Sequence, residues 1–174
     1  MQSFVLAGGC FWCLDSAYVQ FRGIKEVTCG YAGGHTPNPD YESVCSGTTG
    51  HAEVVSIEFD ETEISAEQVL DIFFTVHDPT QLNRQGMDIG TQYRSAMFYS
   101  DPQQEELFHA SIERAKTIWG NDIVTEVSPL EVFHIAEEYH QDFFAKNPNQ
   151  GYCVAVVAPK VRKVREKFTE LLAK

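Results

Sequence analysis

At 174 residues, with 43% apolar and 12% aromatic residues, the chain suits one globular domain over residues 1–174 rather than a disordered segment. Its 25 acidic against 13 basic residues leave a formal charge of −12, which repels nucleic acid and anionic membrane and excludes both as expected partners. No apolar run approaches the ~20 residues that cross a bilayer, and strand-like sequence begins close to Met1 without a signal-peptide pattern, so the cytoplasm is the expected location.

In chain order, Phe4-Val5-Leu6-Ala7 reads as a strand that ends at Gly8-Gly9. Apolar residues at Leu14, Ala17, Tyr18 and Phe21 follow with a helical period. Gly23 to Tyr31 alternates like a strand, and Gly33-Gly34 opens a long loop through Pro37, Asn38 and Pro39 to about Gly50. A loop of that length, carrying Tyr41 and Cys45, points to function. Glu53 to Phe59 is a strand with one apolar face. Ser65 caps a helix that buries Val69, Leu70, Phe73 and Phe74, with Gln68 completing a capping box, and Asp78-Pro79 stops it. Thr80 to Gln92 is a second long polar loop, and Tyr93 to Tyr99 a strand. Asp101-Pro102 starts a helix that runs to about Trp119 and ends at Gly120-Asn121.

Ile123 to Val127 then reads as a short strand. A weak helical pattern extends from Ser128-Pro129 to Phe144, followed by a turn cluster at 147–151. Cys153 to Val157 is strand-like, and Lys160 to Ala173 a basic helix. There are no repeats and no linkers. Together the elements predict an α+β fold, a two-layer sandwich of one mixed sheet with helices packed mainly on one face. Strand order does not follow from the sequence.

Five cysteines, Cys10, Cys13, Cys29, Cys45 and Cys153, argue against a disulfide framework by their odd number. Cys10 and Cys13 have zinc-finger spacing, but no second close pair of Cys or His completes such a site, so no metal is expected. Cys10 instead sits where a Gly-Gly corner turns into a helix. The free N–H groups and dipole of a helix N-terminus favour an anion there, which lowers a thiol's pKa and makes it nucleophilic. Cys13, one turn on, completes a Cys-x-x-Cys spacing typical of redox thiols. Phe11 and Trp12 place two aromatic surfaces beside the sulfur, as core or as an apolar pocket. Glu53 stands where a loop enters a strand. Taken singly, Tyr41, Asp88 and Tyr93 read as surface or packing residues and His140 as a helix-surface histidine. Cys153 reads as strand core or as a third redox thiol. On these residues alone a general thiol oxidoreductase or peroxidase stays open, although it leaves Glu53, Tyr41 and Tyr93 without work. A non-catalytic redox-sensitive binding domain stays open as well.

Six blocks in order resolve the choice. Gly-Cys-Phe-Trp-Cys (9–13), Gly-Tyr-Ala-Gly-Gly (30–34), Gly-His-Ala-Glu (50–53), His-Asp-Pro-Thr (77–80), Arg-Gln-Gly-Met-Asp-Ile-Gly-Thr-Gln-Tyr-Arg-Ser (84–95) and Asn-Gln-Gly-Tyr-Cys (149–153) resemble the peptide-methionine (S)-sulfoxide reductases of type A. The resemblance spans about residues 4–157 and implies a ferredoxin-like core. It also implies that Cys10 is the nucleophile toward a sulfoxide sulfur, with Phe11 and Trp12 binding the S-methyl group. Glu53 is then the acid catalyst, Tyr41 and Tyr93 hydrogen-bond the oxygen, and Asp88 supports them. Cys10 would become a sulfenic acid, pass to an intramolecular disulfide and be re-reduced by thioredoxin or dithiothreitol, with no bound cofactor. Free methionine sulfoxide or oxidised proteins are the implied substrates, repair of oxidative damage the implied role, and a monomer is expected.

Many members of the family have glycine in place of Cys13 and use cysteines in a glycine-rich tail. Here Cys13 is present, Cys153 matches the first tail cysteine, and no second follows. Both are candidate resolving thiols. Cys13 is favoured, because Cα atoms three apart on a helix lie ~5 Å apart, within disulfide range. Cys29 and Cys45 match no role.

Overall fold

The computed structural model describes residues 1–173. Strand β1 (Gln2–Gly8) leads into helix α1 (Phe11–Tyr18), then strand β2 (Ile24–Ala32), helix α2 (Tyr41–Cys45) and strand β3 (Ala52–Phe59). Helix α3 (Ala66–Val76) precedes a small hairpin of β4 (Arg84–Gln85) and β5 (Asp88–Ile89). Strand β6 (Ser95–Tyr99), helix α4 (Pro102–Trp119), strands β7 (Glu126–Pro129) and β8 (His134–Ile135), and helices α5 (Phe143–Lys146) and α6 (Ala158–Lys167) complete the chain. The main sheet has six strands in the order β7-β6-β1-β3-β2-β8. Only β6 and β7 pair in parallel, so the sheet is mixed.

Alternation along the central strands creates two unequal faces. Phe4 and Leu6 of β1, Cys29 and Tyr31 of β2, Val55 and Ile57 of β3 and Met97 of β6 join one large core. Leu14, Ala17 and Tyr18 of α1, Val69, Leu70 and Phe73 of α3, Phe108 of α4 and Val164 of α6 pack into that same core. Phe4 sits between Phe59 and Phe108, with ring centroids 5.0 and 5.2 Å away. The opposite face carries the smaller set Val5, Ala7, Ala32, Ala52, Val54, Ala96 and Phe98, covered by Leu130 and Phe133. Helices therefore lie mainly on one face, as the sequence predicts.

The predicted caps form. Ser65 and Gln68 make a reciprocal capping box on α3, and Asp101 with Pro102 starts α4, which ends at Gly120 with a positive φ. The long loop after β2 holds the short helix α2, itself capped by Asp40, and the second long loop holds the β4–β5 hairpin.

Several segments differ from expectation, among them Tyr93, which ends a 3-10 turn before β6 rather than starting the strand. Cys153–Val157 is a π-helical turn that runs into α6 rather than a strand. Cys153 and Val157, four apart, are both buried while Val154 is exposed, so the burial period is helical although the composition is strand-like. The basic helix begins at Ala158 and ends at Lys167, followed by a short 3-10 turn at Thr169–Leu171. The weak helical pattern after Ser128 resolves into the end of β7, the brief strand β8, a 3-10 turn at Glu138–His140 and α5, and β7 lies slightly later than predicted. Among the described residues no helix is long and apolar enough to cross a membrane.

Candidate active site

Cys10 occupies the N-cap position of α1, in extended conformation with φ −65° and ψ 128°, at the corner predicted for it. Gly9, immediately before it, has φ +88°, and a Cβ there would meet the Gln85 side chain at 2.8 Å. Gln85 is fixed in turn by a pair of hydrogen bonds: Asp78 N–H donates to its Oε1 at 3.0 Å, and its Nε2 donates to the Asp78 carbonyl at 2.9 Å. The β4–β5 hairpin is thereby seated against the corner that presents the thiol.

The N-terminus of α1 is met from the sheet. Glu53 pairs with Tyr31 across β2 and β3, is 1% exposed, and its Oε1 accepts the Phe11 N–H at 3.1 Å. Burial, reinforced by the charges of Asp88 and Cys13 and opposed by the Phe11 N–H, pushes the Glu53 carboxyl up to about 8. At neutral pH it is a buried acid with a proton to give.

Cys10 and Cys13 are both buried and adjacent, with the Cys13 N–H donating to the Cys10 carbonyl at 3.1 Å. Burial above all pushes Cys10 up, helped by the neighbouring Cys13 and the charge of Glu53. The Trp12 N–H pulls it down, which is the helix-terminus effect the sequence predicts, but burial outweighs it. The neighbouring Cys10 brings Cys13 down against its own burial, and the Lys160 charge assists. Protonation of Glu53 removes a charge that disfavours the Cys10 thiolate.

Around Glu53 stand the other predicted residues. Tyr41, the first residue of α2, is held by its N–H donating to Glu137 Oε2 at 2.9 Å. Burial pushes the Tyr41 and Tyr93 hydroxyls up, and the Glu53 charge adds to both. Both hydroxyls bear on the thiol of half-buried Cys45, which links them. Asp88, on the hairpin, accepts the Tyr152 hydroxyl.

The aromatic pair divides. Phe11 is fully buried, 5.7 Å from Tyr31 and 4.9 Å from His140 by ring centroids. Trp12 is partly exposed, with one face stacked on Phe143 at 3.7 Å and 3°. Its Nε1–H donates to His140 Nδ1 at 3.1 Å.

His140 is thus no helix-surface residue. It is wholly buried against Phe11, Trp12 and Tyr41. Since Nδ1 accepts, the ring proton lies on Nε2, which has no hydrogen-bond partner among the described residues. Glu137, Phe143 and Tyr152 are further members that sequence reasoning missed. All lie in the 137–152 segment, whose irregular backbone has no period to reveal an inward face. Its density of aromatic and acidic residues was the available signal.

Cys153 is fully buried in the same core as Cys13, whose charge, after burial, pushes it up. Cys29 is tied into the base of α1, its thiol near Asp15 Oδ2 (3.7 Å) and the Phe11 carbonyl (3.9 Å). Among the described residues no three His, Cys, Asp or Glu side chains converge as metal ligands. The site offers two adjacent thiols, a neutral buried acid, two hydroxyls and an indole face, a set suited to attack on an electrophile whose leaving oxygen must be protonated.

Comparison with known proteins agrees over the full length. The family model described as peptide methionine sulfoxide reductase matches residues 2–172. A peptide methionine sulfoxide reductase MsrA of Clavibacter michiganensis is 58% identical over 170 residues, covering 98% of this chain and 97% of its own. Among solved structures, reduced Mxr1 from Saccharomyces cerevisiae is similar at TM-score 0.83 and 36% identity, covering 87% of this chain and 88% of its own. Methionine sulfoxide reductase A of Corynebacterium diphtheriae is similar at TM-score 0.78 and 34% identity, over 88% of this chain and 78% of its own. On this evidence of sequence and fold, the chain belongs to the peptide methionine sulfoxide reductase family.

Proposed function

We propose that the protein reduces methionine (S)-sulfoxide, free or within polypeptides, to methionine. The observation that carries this reading is the buried Glu53 carboxyl, raised to about 8 and bonded to the N–H next to Cys10. A sulfoxide sulfur accepts a thiolate only if its oxygen leaves in protonated form. A neutral carboxyl beside the nucleophile supplies that proton, while Tyr41 and Tyr93 orient the oxygen.

In the first step the Cys10 sulfur attacks the substrate sulfur and Glu53 protonates the oxygen. Loss of that oxygen as water leaves a sulfonium adduct between Cys10 and the substrate sulfur. Water then adds to the Cys10 sulfur, and methionine departs with the electron pair of the S–S bond. A proton returns to Glu53, and Cys10 is left as a sulfenic acid. Cys13, one turn along the same helix start, condenses with it, releasing water and forming a disulfide. Cys153, packed near Cys13, is the second resolver and receives the bridge by thiol–disulfide exchange. An external dithiol of the thioredoxin type then restores the thiols, so the electrons require no bound cofactor. Trp12, with its open indole surface braced by Phe143 and His140, binds the S-methyl group over the buried Phe11.

A dithiothreitol-driven assay on the two resolved epimers of methionine sulfoxide tests the proposal. Turnover of the (S) form alone is the expected result, and equal use of both would refute it.

A further inference from the structure

The chain has three methionines, and their environments differ sharply. Met97 on β6 is wholly buried, Met1 lies at the terminus, and Met87 is 91% exposed. Met87 is the second of two turn residues, since Gln85 and Asp88 form the closing rung of the β4–β5 hairpin. The turn is pinned: Gly86 N–H donates to Gln81 Oε1 at 2.6 Å, and the Arg84 guanidinium donates to the Gly86 carbonyl at 2.8 Å. Gly86 supplies the φ of +59° that the turn requires. Leu82 and Ile89 flank the tip, each 68% exposed. The base of the same hairpin belongs to the active site, through Gln85 against Gly9 and Asp88 with Tyr152. A solvent-exposed thioether is readily oxidised to the sulfoxide, whereas a buried one is shielded.

We infer that Met87 is an oxidation and repair site of the protein itself, oxidised by peroxides and reduced by a second copy of the same chain. The inference rests on the sulfoxide-reductase reading above. In the oxidation, a peroxide transfers one oxygen atom to the Met87 sulfur and leaves as water or an alcohol. In the repair, the sulfur regains two electrons, its oxygen leaves as water, and two thiols of the second copy become a disulfide that an external dithiol reduces. The donor is a second copy because the Met87 side chain stands in solvent at 91% exposure, whereas Cys10 of its own chain is buried at 8%. The exposed tip, pinned by both Gly86 bonds, is open to another molecule.

The test uses the Cys10→Ser variant treated with hydrogen peroxide, followed by removal of the peroxide and peptide mapping by mass spectrometry. One added oxygen at Met87 and none at Met97 is expected, and preferential oxidation of Met97 would overturn the inference. The oxidised variant is then incubated with dithiothreitol, a trace of wild-type enzyme and a methionine sulfoxide peptide. Because peroxide forms both epimers and the enzyme takes one, about half of the Met87 sulfoxide should disappear. Without wild-type enzyme none should. If the peptide is reduced and Met87 sulfoxide persists, the inference fails and the proposed function stands; if neither is reduced, both fail. For peroxide-treated wild-type enzyme with dithiothreitol alone, the half-time of Met87 repair should lengthen on dilution. A half-time independent of concentration would place repair within one chain and overturn the second-copy step. Met87→Leu should keep its activity on the peptide and take up no oxygen at the turn.

Discussion

Glu53 Oε1 accepts the Phe11 N–H at 3.1 Å, so a strand carboxyl closes the N-terminus of the helix that begins at Cys10. The contact ties the proposed acid to the residue after the proposed nucleophile across 42 positions of chain. It leaves the second carboxyl oxygen to carry the proton, as the raised pKa of about 8 requires at neutral pH.

That raised value has a consequence for stability. Glu53 binds its proton more tightly folded than unfolded, and so does Asp15, which burial pushes up to about 6. The native state therefore holds extra protons above the ordinary carboxylate range, and stability falls as pH rises from there through about 6 and then about 8. Thermal unfolding across this window should show a decline that Glu53→Gln flattens at its upper end. An unchanged slope in the variant would count against a buried neutral Glu53.

The adjacency of Cys10 and Cys13 predicts the first disulfide. Peptide mapping after a single turnover, quenched by alkylation, should show mainly a Cys10–Cys13 bridge. In Cys13→Ser the bridge should shift to Cys10–Cys153 and form more slowly, because Cys153 is buried in the π-helical turn. A dominant Cys10–Cys153 bridge in the wild type would reverse the proposed order.

Phe143 lies flat on Trp12 at 3.7 Å, which braces the indole proposed to bind substrate. Such pairs contribute about 0.5–1.5 kcal/mol beyond area burial. Phe143→Ala should raise KM for methionine sulfoxide by up to about tenfold at that energy, with a smaller change in kcat. A loss confined to kcat would remove Phe143 from the binding surface.

In the core, Phe4 is fully buried between Phe59 and Phe108. Phe4→Ala should lower the unfolding free energy by about 3–5 kcal/mol, measured by denaturant titration.

Much of this was legible in the chain itself. The Gly-Gly corner, the capping box at Ser65 and the Asp-Pro start of α4 act locally, and each formed where its residues predicted. Glu53, Tyr41, Asp88 and Tyr93 could be linked to Cys10 only by resemblance, because their meeting depends on sheet order and on two long loops. His140 was misread for a related reason. Its burial comes from Trp12, 128 positions away, and no local period announces such a contact. Cys153–Val157 was misread because an apolar run suits a strand and a buried helical turn equally well.

The most direct test of the central claim, a neutral Glu53 as proton donor, is the pH dependence of single-turnover reduction of the (S) epimer by reduced enzyme. Wild-type activity should fall as pH rises through about 8, where Glu53 loses its proton. Glu53→Gln should keep much of the activity, since an amide can still donate a hydrogen bond, and should lack that alkaline decline. Glu53→Ala should lose more, within the about 10²–10⁴-fold range of general acid catalysis. If the two variants behave alike, or if Glu53→Gln retains the decline near pH 8, Glu53 is not the donor.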